Sequence, residues 1–149
     1  MPKMVAAKPI TVMLADDHAI MRQRLGALLN RDGRFLMVGQ ACDGWEAVEM
    51  ARILRPDVIL MDIAMPVLNG LEATRQILAA NSAAKVIILS AHSDDEYIEQ
   101  TSAAGAAGFL EKQTAARDLA AAICEVAKGS AFFSPATAKR PRPGVRPAS

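Results

Sequence analysis

The sequence predicts a doubly wound α/β domain built on a parallel sheet. Three observations carry that reading. Short apolar runs alternate with amphipathic stretches of helical period five times along the chain, which is the pattern of βαβ units with right-handed crossovers. The runs are apolar on nearly every residue rather than on alternate ones, as in strands covered on both faces. Four of the runs are followed at once by acidic, hydroxyl or basic residues, so the carboxyl ends of the strands would gather polar chemistry at one sheet edge.

Ile10–Ala15 opens the series. His18–Asn30 follows as a helix with Met21, Leu25, Leu28 and Leu29 on one face, and Arg31-Asp32-Gly33 breaks it. Phe35–Ala41 is the second strand. Asp43-Gly44 precedes a helix from Trp45 to Leu54 that turns Ala47, Val48, Ala51 and Leu54 inward. Arg55-Pro56-Asp57 ends it, since proline disfavours helix at the residue before it. Val58–Met61 is the third strand. A loop from Asp62 to Gly70, containing Met65-Pro66 and Asn69-Gly70, leads to a helix with Leu71, Thr74, Ile77 and Leu78 on one side. Val86–Leu89 is the fourth strand. Ser93–Ser102 is a weaker helix whose inward face offers only Tyr97, Ile98 and small residues. Ala106–Leu110 is a short fifth strand, and Ala115–Lys128 is the last helix, with Leu119, Ile123, Val126 and Ala127 inward. The expected organisation is a flexible N-terminus over 1–9, one domain over 10–130 and a linker or tail over 131–149. That tail holds four prolines, four basic residues and no apolar period.

Composition narrows the function classes. Apolar residues make up 52% and charged residues 22% of the 149, which suits a globular domain with a core of its own. The net charge of +1 hides an asymmetry: residues 1–138 hold 13 basic and 16 acidic residues, a formal −3. A slightly acidic body argues against nucleic-acid binding by the domain itself. Cys42 and Cys124 lie in unrelated segments without ligand spacing, so zinc and redox motifs are absent and both read as small core or boundary residues. Trp45 is expected to be partly buried. The N-terminal stretch lacks an apolar signal region, and no apolar run approaches ~20 residues, which predicts a cytoplasmic chain without a membrane span.

The polar residues at the strand ends set the chemistry. Asp16 and Asp17 follow the first run, Asp62 the third, Ser90 the fourth and Lys112 the fifth. No G-x-x-x-x-G-K-[ST] or G-x-G-x-x-G follows the first strand, and acids at that turn would repel a phosphate unless a metal intervened. G-x-S-x-G is also absent. Converging carboxylates repel one another, and a hard cation such as Mg²⁺ relieves the repulsion. A metal-assisted phosphoryl transfer onto a carboxylate fits these residues. Asp16 and Asp17 can hold Mg²⁺, Lys112 can neutralise a phosphoryl oxygen and Ser90 can donate a hydrogen bond to another.

The motifs Leu14-Ala15-Asp16-Asp17-His18, Met61-Asp62-Ile63-Ala64-Met65-Pro66 with Asn69-Gly70, Leu89-Ser90-Ala91, and Gly105-Ala106-Ala107-Gly108-Phe109-Leu110-Glu111-Lys112 occur in this order. Together they resemble the receiver domain of two-component response regulators over residues 10 to about 128. The resemblance implies five parallel strands in the order 2-1-3-4-5. It implies that Asp62 accepts a phosphoryl group from a sensor histidine kinase or phosphotransfer protein. It further implies that Asp17, Asp62 and the Ala64 backbone carbonyl ligate Mg²⁺ directly, that Asp16 acts mainly through water, and that Ser90 and Phe109 form a conformational switch. Ala64 and His92 stand where the family flanks the path of the hydrolytic water, and so would tune dephosphorylation. Asp16-Asp17-His18, the Gly108–Lys112 stretch and Phe132-Phe133-Ser134-Pro135 resemble the NarL/FixJ subfamily, whose output is a LuxR-type helix-turn-helix. No such motif appears in this chain, so DNA would be reached only through an output domain outside it. One departure is Gln113 after Lys112, where proline is common; a cis peptide there would be costly. His18 reads as a residue of the first helical turn rather than a ligand or phosphoryl carrier. The expected function is the regulatory part of a transcriptional regulator, with homodimerisation on phosphorylation. The alternatives are a stand-alone receiver that relays or drains phosphoryl groups, and a phosphohydrolase with an aspartyl-phosphate intermediate, although Asp62-Ile63-Ala64 lacks the second acid that such enzymes carry.

Overall fold

A computed structural model describes residues 8–91 and 95–133, apart from the side chains of 95 and 96. The elements run β1 (Ile10–Ala15), α1 (Ala19–Arg31), β2 (Phe35–Ala41), α2 (Gly44–Leu54), β3 (Val58–Asp62), α3 (Gly70–Ala80), β4 (Val86–Ser90), α4 (Asp95–Ala103), β5 (Gly108–Glu111), α5 (Ala115–Ala127) and β6 (Phe132–Phe133). The sheet order is β2-β1-β3-β4-β5-β6, and every ladder is parallel. This is the expected doubly wound architecture and strand order, with one short strand added at the β5 edge.

Alternate residues of the central strands feed two cores, as the period of two along a strand requires. Val12 and Leu14 of β1, Val58 and Leu60 of β3, and Ile87 and Leu89 of β4 pack against Leu25 and Leu29 of α1 and Leu119, Ile123 and Val126 of α5. Met13, Ile59, Met61, Val86 and Ile88 point the other way, towards Ala47 and Ala51 of α2, Ala73 and Ile77 of α3 and Ile98 of α4. Both faces are covered, so β1, β3 and β4 carry no alternation of polar residues.

Local caps fix where the helices start. Asp43 accepts from the Glu46 N–H at 2.7 Å, while Glu46 accepts from the Cys42 N–H at 2.7 Å, a reciprocal cap for α2. Asn69 caps α3 by accepting from the Glu72 N–H at 2.9 Å. Gly70 is required there for space: a Cβ would stand 2.0 Å from the Asp62 carbonyl oxygen. The Asn69-Gly70 pair therefore lets α3 begin directly against the end of β3. The same loop holds Val67 at φ 72, a left-handed conformation unfavourable for a β-branched residue.

Three surface expectations need correction. Leu54, expected to face inward on α2, is 40% exposed at the end of that helix. Trp45 is 60% exposed, because the outer side of α2 lies beside β2, the last strand of the sheet, and among the described residues no further layer covers it. Cys42 is exposed at the turn between β2 and α2, while Cys124 is half-buried. Among the described residues no peptide is cis, and no helix is long and apolar enough to cross a membrane.

Candidate functional site

The carboxyl ends of β1, β3, β4 and β5 meet at one edge, and each brings a polar side chain. The ladder bonds continue past the strands and hold these residues in place. The Asp16 N–H donates to the Ala41 carbonyl at 3.0 Å, Ile63 to Leu89 at 3.1 Å and Lys112 to Ser90 at 2.8 Å. The Arg22 guanidinium, on α1, donates to the Asp16 carbonyl.

Asp16 and Asp62 are 0% and 2% exposed. Lys112 reaches between them, its Nζ 3.2 Å from Asp16 Oδ2 and 3.2 Å from Asp62 Oδ2. The charges are in contact but poorly aligned, for neither oxygen has a hydrogen-bond partner of acceptable geometry. Among the described residues these are the two buried side-chain oxygens left in that state. One ammonium cannot balance two buried carboxylates with Asp17 beside them. Burial, and next the Asp16 charge, push the Asp62 carboxyl up to about 6, against the opposing pull of Lys112 and of the Ala64 N–H, which donates to Asp62 Oδ1 at 3.3 Å.

This pocket fits a divalent cation. Asp16, Asp17, His18 and Asp62 each present one ligand atom, and all four atoms lie within 4.8 Å of one another. The carboxylate oxygens are hard donors of the kind Mg²⁺ takes, and the two orphaned oxygens are the buried acceptors a cation would satisfy.

The sequence-derived site residues are largely brought together. Asp16, Asp17, Asp62 and Lys112 share the pocket. Ser90 is buried at the end of β4, one residue beyond Leu89, which pairs with Asp62. Phe109 is fully buried on β5, in register with Ile88 and packed in the core shared with Ile98 and Ala104. Ala64 is exposed on the loop after β3. His92 lies outside the described residues.

His18 is the residue that sequence reasoning undervalued. It is the N-cap of α1, yet its side chain makes no capping bond. The ring turns into the pocket, with Nδ1 3.0 Å from Asp16 Oδ1 and 3.2 Å from Asp17 Oδ1. The available signal was its place directly after the acid pair, where its own N–H donates to Asp16 Oδ1 at 2.8 Å and fixes the turn.

Residues 12–124 match the family model of the response regulator receiver domain. The chain belongs to this family. The receiver is also 38% identical over 135 residues to the transcriptional regulatory protein DegU of Brevibacillus brevis, covering 91% of this chain and 57% of that one. Among solved structures it is similar to a LuxR-family two-component response regulator from Aurantimonas sp. SI85-9A1, with TM-score 0.84, 32% identity and coverage of 89% of this chain and 94% of that one. It is similar as well to the receiver domain of the putative response regulator NarL from Mycobacterium tuberculosis, with TM-score 0.79, 31% identity and coverage of 83% and 99%. The chain spans about three fifths of the length of the curated relatives it matches. It is a receiver domain similar to those of NarL/LuxR-type response regulators, and the phosphohydrolase alternative is not favoured.

Proposed function

We propose that this receiver takes a phosphoryl group on Asp62 from a sensor histidine kinase or phosphotransfer protein in the cytoplasm, and that it is the regulatory part of a transcriptional regulator. The observation that carries this reading is the buried Asp62 carboxylate, with one oxygen lacking a hydrogen-bond partner beside Lys112 and Asp16. An Asp62 oxygen attacks phosphorus in line, the P–N bond to the donor histidine breaks, and the imidazole leaves with its electron pair. Lys112 neutralises one phosphoryl oxygen, and the Ser90 hydroxyl donates to another. Asp17, Asp62 and the Ala64 carbonyl would hold Mg²⁺, with Asp16 assisting through water, and the ion would supply charge neutralisation between the two anions. DNA is reached through an output domain, since the receiver body is formally acidic.

Acetyl phosphate or a phosphorylated kinase is expected to label the wild type and not Asp62→Asn; equal labelling of that variant would overturn the assignment. Hydrolysis of the aspartyl phosphate is slow in this reading, because Ala64 offers no side-chain polar atom to hold water in line. His92 is the remaining candidate to orient that water. Ala64→Asn is expected to shorten the phosphoryl lifetime several-fold, and His92→Ala to flatten its pH dependence near the unperturbed imidazole pKa of ~6.5. Both are read from the decay of labelled protein across pH.

A further inference from the structure

His18 occupies a position that neither form of its ring nitrogen satisfies. Nδ1 lies 3.0 Å from Asp16 Oδ1, 3.2 Å from Asp17 Oδ1 and 3.9 Å from Asp62 Oδ2. The same atom lies 3.1 Å from Lys112 Nζ. With a hydrogen, Nδ1 suits the carboxylates but meets the ammonium donor to donor. Without one, it accepts from the ammonium but turns its lone pair on three anionic acceptors. A cation at the focus of the carboxylates gives the Nδ1 lone pair and the anionic oxygens a common partner, since all of them are donors to it.

The spacing agrees. Adjacent ligands of an octahedral ion at ~2.1 Å stand about 3.0 Å apart, close to the 3.2 Å between Nδ1 and Oδ1 of Asp17, the carboxylate read as a direct ligand. An observation independent of the ring also points to a ligand: Asp16 Oδ2 and Asp62 Oδ2 are buried there with a single ammonium, Lys112 Nζ, 3.2 Å from each and no hydrogen-bond partner.

We propose that His18 is a ligand of the divalent cation in this pocket and shifts its preference from Mg²⁺ towards transition-metal ions. The inference rests on reading the pocket as a cation site. Mg²⁺ favours oxygen donors and water, whereas imidazole suits the later first-row ions, whose affinity rises from Mn²⁺ through Co²⁺ to Ni²⁺. An oxygen-only pocket separates these ions weakly; one imidazole in the set separates them more. The His18 ring is 62% exposed and caps no helix N–H, so its removal takes nothing from either core.

The test titrates wild type, His18→Ala and His92→Ala with Mg²⁺, Mn²⁺ and Co²⁺ by calorimetry, and examines the Mn²⁺ forms by pulsed electron paramagnetic resonance for a directly bound nitrogen. His18→Ala is expected to lose about tenfold or more in Co²⁺ affinity while its Mg²⁺ affinity changes by less than about threefold. The nitrogen signal should be present in wild type and His92→Ala and absent in His18→Ala. Mn²⁺ binding without a bound nitrogen in the wild type, or an unchanged ratio of Co²⁺ to Mg²⁺ affinity in His18→Ala, would overturn the role of His18 and leave the carboxylate site standing. Failure of the wild type to bind any of the three ions would overturn both readings.

Discussion

Asp62 pays for its position in the fold with a carboxyl that is reluctant to ionise. Its pKa is raised to about 6 from the ordinary 3.8, with burial as the first cause and the Asp16 charge as the second. A raised carboxyl favours folding fully below the unfolded value, and that contribution is lost as pH rises through about 6. The metal-free protein should therefore lose stability from this group between pH ~4 and ~7. Asp62→Asn removes the charge and supplies an amide that can donate to Asp16. Urea unfolding of the metal-free variant is expected to show about 1–3 kcal/mol more stability than wild type at pH ~7.5 and a flatter profile below it. A parallel profile would mean that Asp62 is not the source of the strain. At this scale the sequence was legible where a residue follows a buried run, because strand direction alone then aims it at the sheet edge. Asp16, Asp62, Ser90 and Lys112 were found in that way. His18 was not, because a side chain at a helix N-terminus can cap, face solvent or turn inward, and only the packed turn decides.

Helix α4 is the element with least to hold it. Among its described side chains Ile98 and Thr101 are buried and Tyr97 is only half-buried, whereas α5 buries Leu119, Ala122, Ile123 and Val126. Few buried apolar contacts make local opening cheap. Phe109 packs in the same core as Ile98 and Ala104, so a Ser90 hydroxyl drawn towards a phosphoryl group, followed by rotation of Phe109, would be felt first in α4. Hydrogen exchange with and without beryllofluoride is expected to change by about tenfold or more in the amides of α4 and β5 and by much less in α2 and α3. Changes confined to α2 and α3 would contradict this path. The weakness of α4 was readable from its sparse apolar residues. Strand β6 was not readable: two residues carry no period, and its partnership depends on Gly108, where a Cβ would meet the Phe132 carbonyl oxygen at 2.5 Å.

The whole molecule is a two-sided sandwich with one edge under electrostatic stress, and the two properties are linked. Both cores are apolar, so the stability that offsets the crowded carboxylates comes from residues away from that edge. A cation that binds only the folded form adds to the total by mass action. Mg²⁺ at a hundredfold excess over its Kd should raise the unfolding free energy by about 2.7 kcal/mol, and calorimetric melting with and without chelator checks the increment. Asp62→Asn should reduce it. The two-core division was legible because runs apolar on every residue must be covered on both faces, whereas the strand order came from the resemblance to the receiver family; the exposure of Trp45 was not legible, since it depends on what lies beyond the last strand. The opposite edge has a mechanical consequence. Phe132 donates its N–H to the Ala107 carbonyl at 3.0 Å, and Phe133 stands in register with Phe109. Whatever follows Phe133 is thus tethered to the strand that carries Phe109 and leads to Lys112. A pull on the chain beyond it is borne first by β5, so tension from that side and chemistry at Asp62 converge on the same few backbone bonds.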